Sequence, residues 1–276
     1  MKTVLMADPV RYPRMNTQEL RETFLLNDLY VPGELNLAYT DLDRAVVGYA
    51  APLAESLVLP TYPELRSTYF TERRELGVLN TGGAGTVTVE GKSYELNNLD
   101  VLYIGRGNAE VSFSSSDAAE PAVFYLLSYL AHTTYPVALV RKEDANPTEL
   151  GSLETCNKRT ICKYIHQAGA QSCQLVMGVT HLHPGSSWNT LPSHTHNRRT
   201  EVYMYFNFGE DARIFHMMGQ PTETRHLVMA NRDVVLSPGW SIHTGVGTRA
   251  YSFCWGMGGE NQDYADMDPA PIDVLR

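Results

Sequence analysis

Three histidines and one glutamate stand at spacings that can converge on a metal ion. They are His194 and His196, then Glu201, then His243 at the end of Pro238-Gly239-Trp240-Ser241-Ile242-His243. Two histidines at i and i+2 point to the same face of a β-strand. Glu201 lies an odd number of residues beyond both, so strict alternation would turn it to the opposite face. A bulge or turn through residues 197–200 must therefore reset the phase. His243 has to come from a separate strand folded against the first. Three neutral imidazoles and one carboxylate suit a borderline divalent ion such as Zn²⁺, Fe²⁺ or Mn²⁺. A lone His-x-His is weak evidence in a chain with nine histidines. The glutamate at this offset and the later Pro-x-x-x-x-His strengthen it.

The elements that must hold these side chains are mostly strands. Thr86–Glu90 alternates, Gly91-Lys92 turns, and Tyr94–Leu96 resumes, which predicts a hairpin. Apolar strands are expected at residues 101–105 and 122–127 in the first half. In the second half they are expected at 173–180, 201–208, 212–217, 226–230, 234–236 and 250–255. Short turn-separated strands of this kind build sandwiches or barrels. One helix is expected over residues 17–24, with Thr17 as its cap. Some length of the chain before residue 70 reads as irregular or edge structure.

A weak internal repeat organises the chain. Glu72-Arg73-Arg74-Glu75-Leu76-Gly77-Val78 resembles Asn197–Val202, and Asn98–Gly105 resembles Asn231–Gly239. Carried across, Tyr69 and Thr71 fall opposite His194 and His196, and Glu110 opposite His243. We therefore expect two β-domains: residues 1–150 without metal ligands, and 151–276 carrying one metal per chain.

A chain of 276 residues that is 43% hydrophobic can build cores of that size. Its net charge of −9 argues against nucleic acid or anionic membrane as a partner, so an anionic ligand must be captured by local cations. No apolar run is long enough to span a membrane. The N-terminus meets Asp8 and Pro9 too early for a secretory signal, and a cytoplasmic protein is expected. The four cysteines show no Cys-x-x-Cys pair and read as reduced thiols.

The second half resembles the cupin superfamily. Gly185, His194, His196, Glu201 and Gly209 occupy its first motif. Pro238 and His243 occupy the second, with Trp240 and Gly247 in place of the usual Gly and Asn. Longer phrases run through almost the whole chain. They include Glu72–Val78, Gly82–Gly85, Ala131–Pro136, Trp188–Thr190, Phe215–Pro221, Glu223–His226, Trp240–Gly247 and Trp255–Gln262. These are similar to the 4-deoxy-L-threo-5-hexosulose-uronate ketol-isomerase family. The resemblance implies an all-β bicupin, two cupin-like β-sandwich or jelly-roll barrels with few short helices. It further implies a homo-oligomer, often a hexamer, with Zn²⁺ on His194, His196, Glu201 and His243. The implied role is degradation of pectin or other uronate polymers.

The implied reaction moves a carbonyl from C1 to C2 of an open-chain, anionic deoxyuronate. It interconverts 5-dehydro-4-deoxy-D-glucuronate and 3-deoxy-D-glycero-2,5-hexodiulosonate. A divalent metal stabilises the enediolate charge as a Lewis acid, and a base shuttles the proton. Candidates for that base are Lys163, Tyr203, Glu223, His183 and His181, each of which also has an ordinary structural use. For the substrate carboxylate Arg199 comes first, because a residue two positions before an inward ligand faces inward on a regular strand. Arg198 and Arg159 stand behind it, and a solvated surface charge is the plain alternative for each. Two other readings of the same ligands remain: an Fe or Mn cupin dioxygenase, and a non-catalytic sugar-binding cupin.

Overall fold

The computed structural model describes residues 1–189 and 191–276; Thr190, the last residue of the Trp188–Thr190 phrase, lies outside the described residues. Contacts divide the chain into two compact units. The first holds Met1–Val4, Asp28–Asn146 and Tyr164–Val176; the second holds Leu5–Asn27, Pro147–Lys163 and Met177–Arg276. A single cut at residue 150 does not describe this division. Leu25–Leu26 pairs with the Val234–Ser237 strand. Trp240 stacks on Tyr12 at 4.7 Å and meets Phe24 edge-on at 6.2 Å. Burial of these rings ties the N-terminal segment to the second unit.

Each unit has a seven-stranded sheet and a four-stranded sheet. In the first, the large sheet runs Lys2–Val4, Leu35–Thr40, Val46–Ala50, Phe124–Leu130, Arg74–Asn80, Val101–Ile104, Ala138–Val140. In the second it runs Thr148–Leu150, Arg159–Ile165, Val176–Leu182, Ser252–Gly259, Arg199–Phe206, Val234–Ser237, Leu25–Leu26. The small sheets run Leu57–Val58, Val111–Ser115, Gly85–Val89, Lys92–Leu96 and Trp188–Asn189, Thr244–Gly247, Ile214–Gln220, Glu223–Met229. Strand for strand, the two orders match, and the sequence repeat falls on equivalent strands: Arg74–Asn80 with Arg199–Phe206, Val101–Ile104 with Val234–Ser237.

Local chemistry explains the elements. The hairpin after Gly85–Val89 turns on Glu90 and Gly91, at φ +48° and +73°, as a two-residue turn matching strand twist requires. The small-sheet strand alternates buried and half-buried residues, because one face packs on the core of the first unit. Arg74–Asn80 is buried throughout, so it cannot alternate. The helix Thr17–Phe24 forms as expected, but its cap is Asn16, whose side chain accepts from Glu19 N while Glu19 returns a bond to Asn16 N. Irregular stretches do occur before residue 70, but Val46–Ala50 is an inner strand that the pattern did not reveal. That strand lies wholly buried between Leu35–Thr40 and Phe124–Leu130. Gly48 permits the close pairing, since a Cβ there would stand 2.1 Å from the Asn36 carbonyl oxygen.

The turn before each repeated inner strand is built the same way. Asp100 accepts from Asn97 N and Asp233 from Ala230 N, both at 2.8 Å, after Leu99 and Arg232 at φ +70° and +71°. Burial pushes the Asp233 carboxyl up to about 6, against the lowering by the Ala230 N–H. Ionising it costs the folded state more than the unfolded chain. This contribution therefore favours folding below about pH 4 and is lost as pH rises through about 6. Asp233→Asn keeps an acceptor for Ala230 N and removes the titration. Its melting temperature should gain on the parent as pH is raised from about 4 to about 7.5. A gap between the two proteins that stays constant over that range contradicts the assignment.

Candidate metal centre

The four expected ligands come together from three elements. His194 lies on the short strand Ser193–Thr195, which pairs with Asp268–Ala270 rather than with the large sheet. His196 follows it, and a turn at Asn197-Arg198 leads into Arg199–Phe206, which carries Glu201. That turn is the phase reset the spacing demands. His243 immediately precedes the small-sheet strand Thr244–Gly247. Gly239 lets this loop approach, because a Cβ there would lie 2.4 Å from the His196 carbonyl oxygen, and His196 N donates to Gly239 O at 3.0 Å.

One donor atom from each of the four residues lies within 4.8 Å of every other. Glu201 Oε2 is 2.6 Å from His243 Nε2 and 3.1 Å from His196 Nε2; the Nε2 atoms of His194 and His243 are 3.0 Å apart. The far side of the His196 ring is fixed: Nδ1 lies 2.6 Å from the Asp266 carbonyl oxygen, so Nδ1 carries the proton and Nε2 presents its lone pair inward. Ser237 Oγ lies 3.3 Å from His243 Nδ1. Burial, then the His243 charge, pushes His194 down to about 3, which keeps it neutral. Burial alone would raise Glu201, but His243 and His196 hold it well below the usual carboxylate range. Imidazole nitrogens and an ionised carboxylate converging on one point fit a divalent cation of the zinc class.

The site opens into a cavity of about 280 Å³. Arg159 is the one arginine or lysine on its wall among the described residues, opposite Tyr203 and Tyr264. Burial holds both phenols protonated, raising Tyr264 and taking Tyr203 well above its ordinary value; the charge of Glu201 adds to both. Trp255 Nε1 donates to Thr180 Oγ1 at 3.1 Å, and both residues line the cavity.

The other candidates stand apart from this wall. Lys163 lies over the Tyr264 ring, 5.1 Å from its centroid. His183 Nε2 is 2.8 Å from Thr160 Oγ1, and His181 Nδ1 is 2.8 Å from Ser252 Oγ. Glu223 pairs with Arg225 at 2.7 Å on the small sheet. Arg198 binds Asp266 and Asp268 at 2.7 and 2.9 Å. Arg199 shares the strand face of Glu201, as alternation requires, yet it does not line the cavity. Its guanidinium donates to the carbonyls of Asp263 and Asp266, the latter at 2.7 Å. Sequence reasoning missed Tyr264, Thr180, Trp255 and the buried His216, whose Nδ1 is 2.8 Å from Tyr205 Oη. The acidic run at residues 263–268 opposite Arg198 and Arg199 was the available signal for the C-terminal lock.

Comparison with known proteins places this geometry. The KduI/IolB family model matches residues 38–271. The 4-deoxy-L-threo-5-hexosulose-uronate ketol-isomerase of Lachnoclostridium phytofermentans is 52% identical over 270 residues, covering 98% of each chain. The same-named protein of an Escherichia coli strain is 50% identical over 264 residues, covering 95% of each. Among solved structures, an IolB-like protein of Salmonella typhimurium aligns with TM-score 0.72 at 14% identity, over 88% of this chain and 95% of that one. Bacillus subtilis oxalate decarboxylase aligns with TM-score 0.56 at 12% identity, over 81% and 71%. The fold is the all-β bicupin that the motifs implied.

Arg199 holds the two carbonyls of the segment that orients His196. Arg199→Lys keeps the charge but cannot span both, and should cost about 2 kcal/mol of unfolding free energy in urea titration. Arg198→Lys, at the exposed ion pairs, should leave the midpoint where it is. Equal effects from the two substitutions would show that the buried clamp is not what holds the segment.

Proposed function

Because the chain belongs to the KduI/IolB family and matches its ketol-isomerases end to end, we propose that it is an aldose–ketose isomerase. It interconverts 5-dehydro-4-deoxy-D-glucuronate and 3-deoxy-D-glycero-2,5-hexodiulosonate. The observation that carries this reading is the set of three imidazoles and one carboxylate at the floor of a cavity whose wall holds one arginine and two protonated phenols. His194, His196, Glu201 and His243 would hold the metal, for which we assign zinc, one per chain. When bound, it supplies a Lewis acid for the negative charge that develops on the substrate oxygens.

The chain's own residues do the rest. Arg159 is placed to take the substrate carboxylate through its guanidinium fork. Tyr203, the one catalytic candidate from the sequence that reaches the cavity, holds its proton at Oη and serves as a hydrogen-bond donor to a reacting oxygen rather than as a base. Tyr264 is a second donor of the same kind. Apolar walls from Phe253, Trp255 and Met257 keep water from the reacting carbons. The same reading places the protein in the cytoplasm as a homo-oligomer, a hexamer, acting on uronates released from pectin by lyases. Among the described residues no helix is long and apolar enough to cross a membrane.

The unsubstituted protein and two variants test this. Purified protein should carry one zinc per chain by elemental analysis and isomerise lyase-generated deoxyuronate without consuming dioxygen; oxygen uptake coupled to turnover would favour a dioxygenase. His196→Ala should lose the metal and most of the activity while keeping the parent's circular dichroism, because the barrel cores form without the ion. Arg159→Lys keeps the charge and loses the fork, so KM for the uronate should rise roughly tenfold with a smaller change in kcat. An unchanged KM moves the carboxylate partner elsewhere.

A further inference from the structure

Arg74 is a buried cation that, among the described residues, has no counter-ion. It occupies the same place in the first unit as Arg199 in the second, the opening residue of the equivalent strand, and is 3% exposed. Its Nε donates to Ser128 Oγ at 3.2 Å, and Nη2 donates to the Arg44 carbonyl and, at 3.4 Å, to the Ser128 carbonyl. Among the described residues no carboxylate forms an ion pair with it and no hydrogen bond is made by Nη1. Burial lowers its pKa to about 10, with only the Tyr39 and Tyr129 hydroxyls opposing. Leaving a charge buried and unpaired costs several kcal/mol. In the second unit two carbonyls of the 263–266 segment close over Arg199. Over Arg74 there is instead a cavity of about 180 Å³.

The walls of that cavity name its ligand. Arg74 shares it with Arg44 and with Arg73, which pairs with Glu72 at 3.3 Å, so that even with Glu64 the wall keeps an excess of positive charge in a chain of net charge −9. Tyr39 and Phe70 supply aromatic faces, and Ser67 and Glu64 supply polar atoms at the rim. Glu64 ion-pairs with none of the three arginines. Arg74 Nη1 keeps two N–H groups for a carboxylate oxygen, aromatic faces stack on a sugar ring, and Glu64, an acceptor only, suits hydroxyl donors. We propose that the first unit, which lacks the metal ligands, binds a sugar acid, its carboxylate on Arg74 and its hydroxyls towards Ser67 and Glu64. This second site is separate from the one at Arg159 and does not depend on the reaction assigned there.

The test is isothermal titration calorimetry of the full-length protein with D-galacturonate in an Arg159→Met background, which removes capture at the metal-bearing cavity. Binding should persist in that background, and adding Arg74→Met, which keeps the stem and removes the charge, should weaken it roughly tenfold or more. Acetate and inorganic phosphate, run in parallel, should bind more weakly than galacturonate, since neither uses the aromatic walls. No binding in the Arg159→Met protein overturns the proposal. So does equal affinity with and without Arg74→Met, or acetate or phosphate matching the sugar acid. Should Arg74→Met fail to fold, the exposed Arg44→Ala decides: weakened galacturonate binding supports the site, and unchanged binding overturns it.

Discussion

Glu201 is a carboxylate held ionised at 5% exposure, and most of the second unit can be understood as meeting that requirement. Removing such a charge from water costs several kcal/mol unless opposite charge or well-placed donors compensate. Its ion-pair contacts are to two imidazoles, at 2.6 and 3.1 Å, with a third imidazole, held neutral, 3.0 Å beyond. An imidazole nitrogen without its proton presents a lone pair. A carboxylate facing lone pairs is a poor arrangement in itself and a good one around a divalent cation. The turn at Asn197-Arg198, the close approach at Gly239 and the loop to His243 all serve to bring these donors to one point from separate strands.

Orientation of the donors depends on a segment distant in sequence. The Asp266 carbonyl fixes the His196 ring, and Arg199 in turn fixes the Asp263 and Asp266 carbonyls. Outside, Arg198 binds the side chains of Asp266 and Asp268, and Asp268–Ala270 pairs with the strand of His194. Neighbouring arginines, one ending the turn and one opening the strand, thus divide the work. The inward one holds backbone within the unit and the outward one holds carboxylates at the surface. Screening weakens the outer pairs with salt far more than the buried clamp, so the clamp is the durable part.

Much of this was legible in the sequence, for identifiable reasons. The ligand set could be read because metal binding needs specific residue types, and those types are scarce. The repeat could be read because equivalent turns need equivalent residues: Asp100 and Asp233 both close a turn that leads into an inner strand. Val46–Ala50 escaped because a strand buried on both faces has no alternation to detect, and its Gly48 looks like a turn signal while serving close strand pairing. The contact units depart from a single cut at residue 150 because helix and strand from residues 17–26 complete a unit whose other strands begin far along the chain. Pairing between such distant segments leaves no mark on local pattern.

Arg199 shows where strand parity stops being sufficient. Alternation correctly put it on the face of Glu201, yet a face is shared along the whole strand while a cavity occupies only part of it. Which inward residue meets the cavity is decided by what else covers the strand end, here two carbonyls from residues 263–266. The cation on the cavity wall, Arg159, comes from three strands away in the same sheet. Its neighbour Tyr264 comes from the covering segment itself. A local pattern can specify a direction for a side chain, but the position of a cavity is set by the packing of segments far apart in sequence. For that reason a ligand set drawn from one short strand–turn–strand stretch and one loop was readable, and a substrate wall assembled from five separate segments was not.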